Sequence, residues 1–412
     1  MARSGRTSKK GQKKMRKQAA KVERRLQKHD ARQTKKNGLS ASLGRFFGGY
    51  DTTVLIMVLV LSLFGVAMVF SAGYYSTVNS SDPNPLYFLL RQSFWVITGL
   101  LIMIFVSNFD YHQYYHWANA LAILSIVLLI LVLIMGIEVN GARRWLGYGS
   151  ARITPSELSK LFMIIFTSVF LANKPDNIEG RGLITLFAVM GMHFILIVKQ
   201  PNLSTAIVVC AIMLAIMFVA NLSYKWIGAL FAAGGLGTIM ILLFMKDTHW
   251  YSRLTNWINP FADAQGEGYQ VSQSIIALGN GGVTGLGFGK SIAKNLYLPE
   301  PQNDFILAVI GEELGYVGFL VLMAAYIILL YRLIVIALQA TDTLGFYLAT
   351  GVAVMLGLQV IINVAVVTAS MPATGITLPF ISYGGSSMWS FMAAIGISLN
   401  VSKRSRRERT RR

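Results

Sequence analysis

Residues 298–333 read LPEPQNDFILAVIGEELGYVGFLVLMAAYIILLYRL. A polar, proline-bearing lead gives way at Asp304 to an apolar run that carries Glu312 and Glu313 and ends at Arg332. About 20 apolar residues in a helix cross the hydrocarbon core of a bilayer, and this run is long enough. Similar runs recur along the chain, so spans rather than soluble domains are the units to count. Composition agrees. Of 412 residues, 54% are hydrophobic and 13% are charged, whereas soluble domains carry about 25% charged residues. The expected fold class is an all-α integral membrane protein.

Working outward from that run, hydropathy gives about ten transmembrane helices. They are expected near 53–74, 87–106, 117–137, from 155 to a polar turn at 173–181, from that turn to 199, and over 203–220, 226–245, 304–333, 344–369 and 378–401. Ten spans put both termini on one side. Residues 1–38 hold 15 Lys/Arg against Glu23 and Asp30, and residues 401–412 hold 7 against Glu408. The two ends supply the whole net charge of +19, which makes their side cytoplasmic by the positive-inside rule. The chain therefore divides into a basic cytoplasmic arm (1–45), a membrane domain (46–401) and a basic cytoplasmic tail (402–412). One large external loop (247–303) joins helices seven and eight. Membrane lipids are expected partners of the basic ends. The arm has no interleaved aromatics, so nucleic acid is not expected. With one cysteine, Cys210, the chain holds no internal disulfide and no cysteine-based metal centre.

The polar passage from Asp247 to Glu313 is too long for an idle connection. It carries Trp257-Ile258-Asn259-Pro260, Asp263, a glycine-dense segment from Gly279 to Gly289, and Glu300 and Asp304 at its return to the membrane. GLGFGKS at 285–291 looks like the end of a phosphate-binding loop. The glycine that motif needs is Thr284 here, so tight turns with close backbone approach are the better reason for the glycines. Glu312 and Glu313 fall inside a span, where at least one needs a buried partner. The other external loop holds Arg143, Arg144 and Trp145. Two guanidiniums in one turn suit a lipid-borne phosphate, and pairing with Glu138 is the plainer alternative. Thr154-Pro155-Ser156-Glu157 opens the fourth span as a capping box, and Glu157 and Lys160 also share a helix face. The five histidines show no metal-ligand spacing. Candidate bases for a proton transfer are the external carboxylates, among which residue chemistry alone leaves the choice open.

Taken together, NGARRWL, TPSELSK, KQPNLSTA, NPFADAQGEGYQ, LPEPQNDFILAVIGEELG and TGITLPFISYGGSS resemble, in order and spacing, the signatures of the shape, elongation, division and sporulation (SEDS) family. The resemblance covers about residues 50–400 and is nearest to the family's cell-division branch. It implies a peptidoglycan glycosyltransferase that polymerises lipid II on the outer face, inverting the anomeric centre and releasing undecaprenyl pyrophosphate. It implies a class B penicillin-binding protein and other division proteins as partners, and a bacterial cell membrane location at the septum. The family's essential aspartate falls on Asp263, followed here by Ala264 where many members have proline. Substrate-binding positions are implied at Arg143, Arg144, Trp145, Glu157, Lys160, Gln200, Gln270, Glu300, Asp304 and Ser382. No organic cofactor is expected, and a divalent cation, Mg or Mn, is one way to neutralise the leaving pyrophosphate. A lipid II flippase, or an elongation or sporulation member of the same family, is the alternative.

Overall fold

The computed structural model describes residues 49–78, 83–139, 141–148, 151–174, 178, 180–244, 257–261, 268–295 and 297–411. Residues 51–412 form one compact unit, and the description below is of that unit. Asp247, Asp263 and Glu267 lie outside the described residues.

Long helices follow the expected apolar runs. They are α1 (Thr52–Val78), α2 (Tyr87–Asn108), α3 (Tyr114–Met135), α4 (Pro155–Asn173), α5 (Gly180–Val198), α6 (Leu203–Val219) and α7 (Tyr224–Phe244). After the long loop come a short helix α8 (Tyr269–Gly281), then α9 (Ile306–Leu338), α10 (Thr343–Val367) and α11 (Gly385–Arg411). Among the described residues, seven helices are both long and apolar enough to cross a membrane, and α6 is apolar but shorter. Polar side chains cap the entries to α6 and α10. Asn202 accepts from Thr205 N at 3.3 Å, and Asp342 accepts from Gly345 N at 3.1 Å, each satisfying an amide that the helix leaves unpaired.

The packing is that of a protein in lipid. Along α2 the exposed face is Leu90, Phe94, Ile97, Leu101 and Phe105, with Phe105 72% exposed. The buried face is Gln92, Val96, Gly99, Met103 and Ser107. Gln92, Gly99 and Ser107 thus pack inward with Val96 and Met103 against α11, and bulky apolar residues face out, as expected where the solvent is hydrocarbon.

Two helices depart from their expected form. The eighth apolar run is broken at Gly315, whose φ is 65°. A break inside an apolar run strands backbone groups that lipid cannot satisfy. The glycine-dense segment satisfies them. Leu286 N and Gly287 N donate to Glu312 O and Glu313 O at 3.0 and 2.9 Å, and Tyr316 N and Val317 N donate to Gly282 O and Val283 O at 3.0 and 3.1 Å. A Cβ on Gly285 would lie 2.2 Å from Glu313 O, so only glycine admits this approach. The expected tenth span starts late. Residues 378–384 form a turn, and helix begins only at Gly385. Ser382 Oγ accepts from Leu378 N at 2.7 Å and Tyr326 Oη donates to Pro379 O. Gly65, at the middle of α1, lies against the Phe380 and Ile381 backbone, where a Cβ would meet Phe380 O at 2.5 Å. Irregular backbone at that depth is tolerated because protein surrounds it. At its other end α11 runs on to Arg411, so most of the basic tail at 402–412 is the last turns of that helix.

The loop carrying Arg143 and Arg144 is a small antiparallel sheet of β1 (Ile137–Val139), β2 (Ala142–Tyr148) and β3 (Ala151–Ile153), in that order. β1 and β3, of three residues each, carry no readable period, and the sequence suggests only a turn. Gly141, at φ 73°, turns β1 into β2 and pairs Glu138 with Arg143.

Candidate active site

Strand alternation decides what the two arginines do. Consecutive residues of β2 point to opposite faces. Arg143 turns to the exposed side, where its Nε donates to Glu138 Oε2 at 2.9 Å with both side chains about half exposed. Arg144 turns inward, where Nε donates to Gln200 O at 3.1 Å and Nη2 donates to Pro201 O. It therefore clasps the break between α5 and α6. The sequence reads these residues as a pair of guanidiniums in one turn, and the structure separates them. Trp145 is half-buried beside them. Gln200 is buried and donates its Nε2 to Leu129 O at 3.1 Å.

At the start of α4, Pro155 occupies the first turn as expected. The capping box does not form: Thr154 makes no side-chain cap, and Glu157 turns its carboxylate to Lys160 Nζ at 2.7 Å. The ammonium is 2% exposed and lies 5.7 Å from the centroid of the Phe391 ring. Its need for a counter-ion outweighs a cap, because an unpaired buried charge costs more than an unmade terminal hydrogen bond. The surroundings are fixed from α11: Ser386 Oγ accepts from Thr154 N at 3.0 Å, and Ser390 Oγ donates to Glu157 O at 2.9 Å.

The same end of α11 meets the approach to α9. Tyr383 N donates to Gln302 O at 2.9 Å. Asn363 Nδ2, on α10, donates to Asp304 O and Ile376 O at 2.7 and 2.8 Å. The first turns of α4, α9 and α11 are thereby gathered at one end of the molecule. Each helix N-terminus carries about half a positive charge, and those of α4 and α11 flank Lys160, whose own charge is offset by Glu157. Ser386 lies about 21 Å along α11 from Asn400, which marks the other end by contacting Tyr111 and Ser107.

The remaining candidates fall around this region in different roles. Ser382 spends its hydroxyl on its own turn, and its carbonyl accepts from Gln92 Nε2 at 3.3 Å. Glu300 is exposed, at φ 45°, and accepts from Asn303 Nδ2. Asp304 is half-buried one residue before Phe305, the cap of α9, and Gln270 is half-buried in the first turn of α8. The two flanks of the segment that carries Asp263 are both tied to the end of α10. Trp257 Nε1 donates to Ala369 O, and Ser274 Oγ donates to Val367 O, each at 2.8 Å. That end of α10 is also the end where Asn363 holds Asp304.

One cluster lies outside the substrate-binding positions that the family resemblance implies. Glu313 and Lys294 form a buried ion pair at 2.8 Å, and Ser71 of α1 bonds both, donating to Glu313 Oε1 at 2.6 Å and accepting from Lys294 Nζ at 3.0 Å. Glu312 accepts from Ser291 Oγ and from Ala293 N at 3.1 Å. The expectation that a carboxylate in this span finds a partner holds. The partner, a lysine in a loop without periodicity, carries no sequence signal except that demand. Among the described residues no three His, Cys, Asp or Glu converge as a metal site.

The family of cell cycle proteins comprising FtsW, RodA and SpoVE matches residues 51–407 of the chain. Stage V sporulation protein E of Bacillus subtilis strain 168 is 39% identical over 363 residues, covering 86% of this chain and 98% of that relative. A probable peptidoglycan glycosyltransferase FtsW of a Geobacter species is 35% identical over 362 residues, covering 87% and 98%. Rod shape determining protein RodA of Thermus thermophilus superposes with a TM-score of 0.62 at 28% identity, covering 86% of this chain and 96% of that one. A chain from a structure described as the structural coordination of polymerization and crosslinking by a peptidoglycan synthase complex gives a TM-score of 0.71 at 27% identity, covering 86% and 98%.

Proposed function

The chain belongs to the cell cycle protein family of FtsW, RodA and SpoVE, and on that premise we propose that it is a membrane peptidoglycan glycosyltransferase that polymerises lipid II during septal wall synthesis. The observation that carries this reading is the buried Lys160–Glu157 pair held between the first turns of α4 and α11. A lipid pyrophosphate leaving group needs its developing charge neutralised more than it needs a proton. Fixed cations and helix ends in a dry setting supply that without reorganisation. Arg144 rigidifies the neighbouring wall through the carbonyls of Gln200 and Pro201. Among the described residues no cluster of carboxylates fits a divalent cation.

In this mechanism Asp263 takes the proton of the acceptor sugar's 4-hydroxyl. The oxygen attacks the anomeric carbon of the donor, the bond from that carbon to the phosphate oxygen breaks, and undecaprenyl pyrophosphate departs. An α-linked phosphate becomes a β-1,4 link. Positioned proton transfer contributes roughly 10²–10⁴-fold, so Asp263 governs turnover more than binding. A class B penicillin-binding protein is assigned as the crosslinking partner, supported by the likeness to a chain of a peptidoglycan synthase complex.

The test is polymerisation of purified lipid II in detergent, where there is no membrane to cross. The intact chain with its partner should make glycan, and folded Asp263→Ala protein should make none. Normal yield from that variant overturns the assignment, and absence of polymer from the intact complex favours lipid transport. A tagged chain should gather at the septum of dividing cells. Location confined to a forespore membrane reassigns the enzyme to sporulation.

A further inference from the structure

Ser125 on α3, Ser159 on α4 and His193 on α5 are joined by hydrogen bonds across the three helices. Ser125 Oγ lies 2.8 Å from Ser159 Oγ and 3.0 Å from His193 Nε2, and His193 Nδ1 lies 2.9 Å from Val189 O. All three residues are buried. The ring sets the direction of the chain. A carbonyl only accepts, so the Nδ1 that faces Val189 O carries the hydrogen of the neutral imidazole and Nε2 accepts. Ser125 satisfies Nε2, and Ser159 then donates to Ser125. Ser159 Oγ also reaches Pro155 O at 3.0 Å, but that carbonyl already takes an amide of the helix ladder.

The chain ends on the turn of α4 that matters most. Ser159 stands between Glu157 and Lys160, next to the lysine. From the side of α11, Ser390 Oγ holds Glu157 O at 2.9 Å. From the side of α3 and α5, the grip on the same turn is Ser159. One turn along α3 from Ser125, Leu129 O accepts from Gln200 Nε2, and Arg144 holds Gln200 O. The ion-pair turn and the break between α5 and α6 are thus registered on the same face of α3.

We propose that His193 is a positioning residue for glycan polymerisation, fixing through Ser125 and Ser159 the turn of α4 that carries Glu157 and Lys160. The inference rests on the reading of that ion pair as part of the reacting end. Apolar contacts between helices tolerate sliding, whereas a satisfied chain of donors and acceptors specifies one arrangement. Small displacements of a positioning group cost a large share of the rate.

The test is the rate of polymerisation by the purified full-length chain with its partner over a range of lipid II concentrations, beside the melting temperature in detergent. His193→Phe keeps the bulk of the ring and removes both nitrogens. It should lower kcat about tenfold or more while KM stays within about twofold. His193→Gln, whose amide both donates and accepts, should restore most of kcat. Ser125→Ala cuts the chain at its middle and should cost as much as His193→Phe. The two changes together should cost no more than either alone, because the residues act in series. Ser125→Ala, the smaller change, decides the matter if His193→Phe does not fold. A lowered melting temperature with parental kcat per folded molecule overturns the proposal by making the chain a stability device. Additive losses, or a glutamine variant no better than the phenylalanine one, also overturn it. Absence of polymer from the parent complex overturns the reading of the site, and this inference with it, whereas parental kcat in the variants overturns this inference alone.

Discussion

Lys294 Nζ stands 2.8 Å from Glu313 Oε1, with the lysine 7% exposed and the glutamate fully buried. The pair fastens the loop before α9 to the helix just ahead of its break, and Ser71 extends the contact to α1. Removing one member leaves the other charged and dry, a loss of about 3–5 kcal/mol. Lys294→Met is expected to lower stability by that order, measured by thermal unfolding in detergent. The double variant Lys294→Met/Glu313→Gln should recover a substantial part. Simple addition of the two single losses would show that the residues do not act as a pair.

The glycines beside the break are not equivalent. Gly285 has φ 79° and a built Cβ 2.2 Å from Glu313 O, while Gly289 has the same φ but nothing within 4 Å. Left-handed backbone costs an L-residue roughly 1–2 kcal/mol. Gly289→Ala should therefore lose about that much. Gly285→Ala should lose more, because it also parts the amides of Leu286 and Gly287 from their carbonyls. Equal melting temperatures for the two variants would contradict the close backbone approach.

Arg143 and Arg144 should separate in function as they do in the sheet. The exposed Arg143–Glu138 pair is worth little, about 0–1 kcal/mol, and Arg143→Ala should leave stability and polymer yield near the parent's. Arg144→Ala frees the Gln200 and Pro201 carbonyls and loosens the joint between α5 and α6. Yield should fall about tenfold or more, as expected when a positioning contact is lost. Like losses in both variants, followed by gel analysis of glycan, would place the two side chains on the same footing.

Acid should loosen the other end at Asp110. Burial works against its carboxylate, but the His112 amide and ring and the Arg404 guanidinium outweigh that and hold its pKa below the usual 3.8. A lowered folded pKa means the stabilisation is complete above the unfolded value and is lost as pH falls through the folded one. Melting temperature should thus be insensitive to this group at pH 5 and above and decline below about pH 4. Asp110→Asn should reduce stability at neutral pH and flatten that acid limb.

Much of the fold was readable because lipid imposes a coarse rule: an apolar run of sufficient length becomes a helix. The glycine-dense segment does approach another backbone closely, as its composition suggests, and of Glu312 and Glu313 the second has the buried ion-pair partner that the span demands for at least one of them. Sequence pattern and structure part where a residue's neighbours lie far along the chain. Thr154 and Glu157 have the sequence of a capping box, yet the distant Ser386 takes the Thr154 amide, and of the two roles open to Glu157 only the pairing with Lys160, three residues on, is taken. Residues 378–384 are apolar enough for a helix, yet they turn against Gly65.

Residue types and their order were enough to establish a membrane protein, its apolar runs, its charged ends and its family, since each rests on local composition or a contiguous motif. They could not establish that Arg144 faces the α5–α6 break while Arg143 faces away, that Lys294 answers Glu313, or that the first turns of three helices meet at one end. Those depend on which distant backbone groups become neighbours. In a hydrocarbon solvent that choice is set by the requirement that every buried charge and every broken hydrogen-bond ladder be satisfied from elsewhere in the protein.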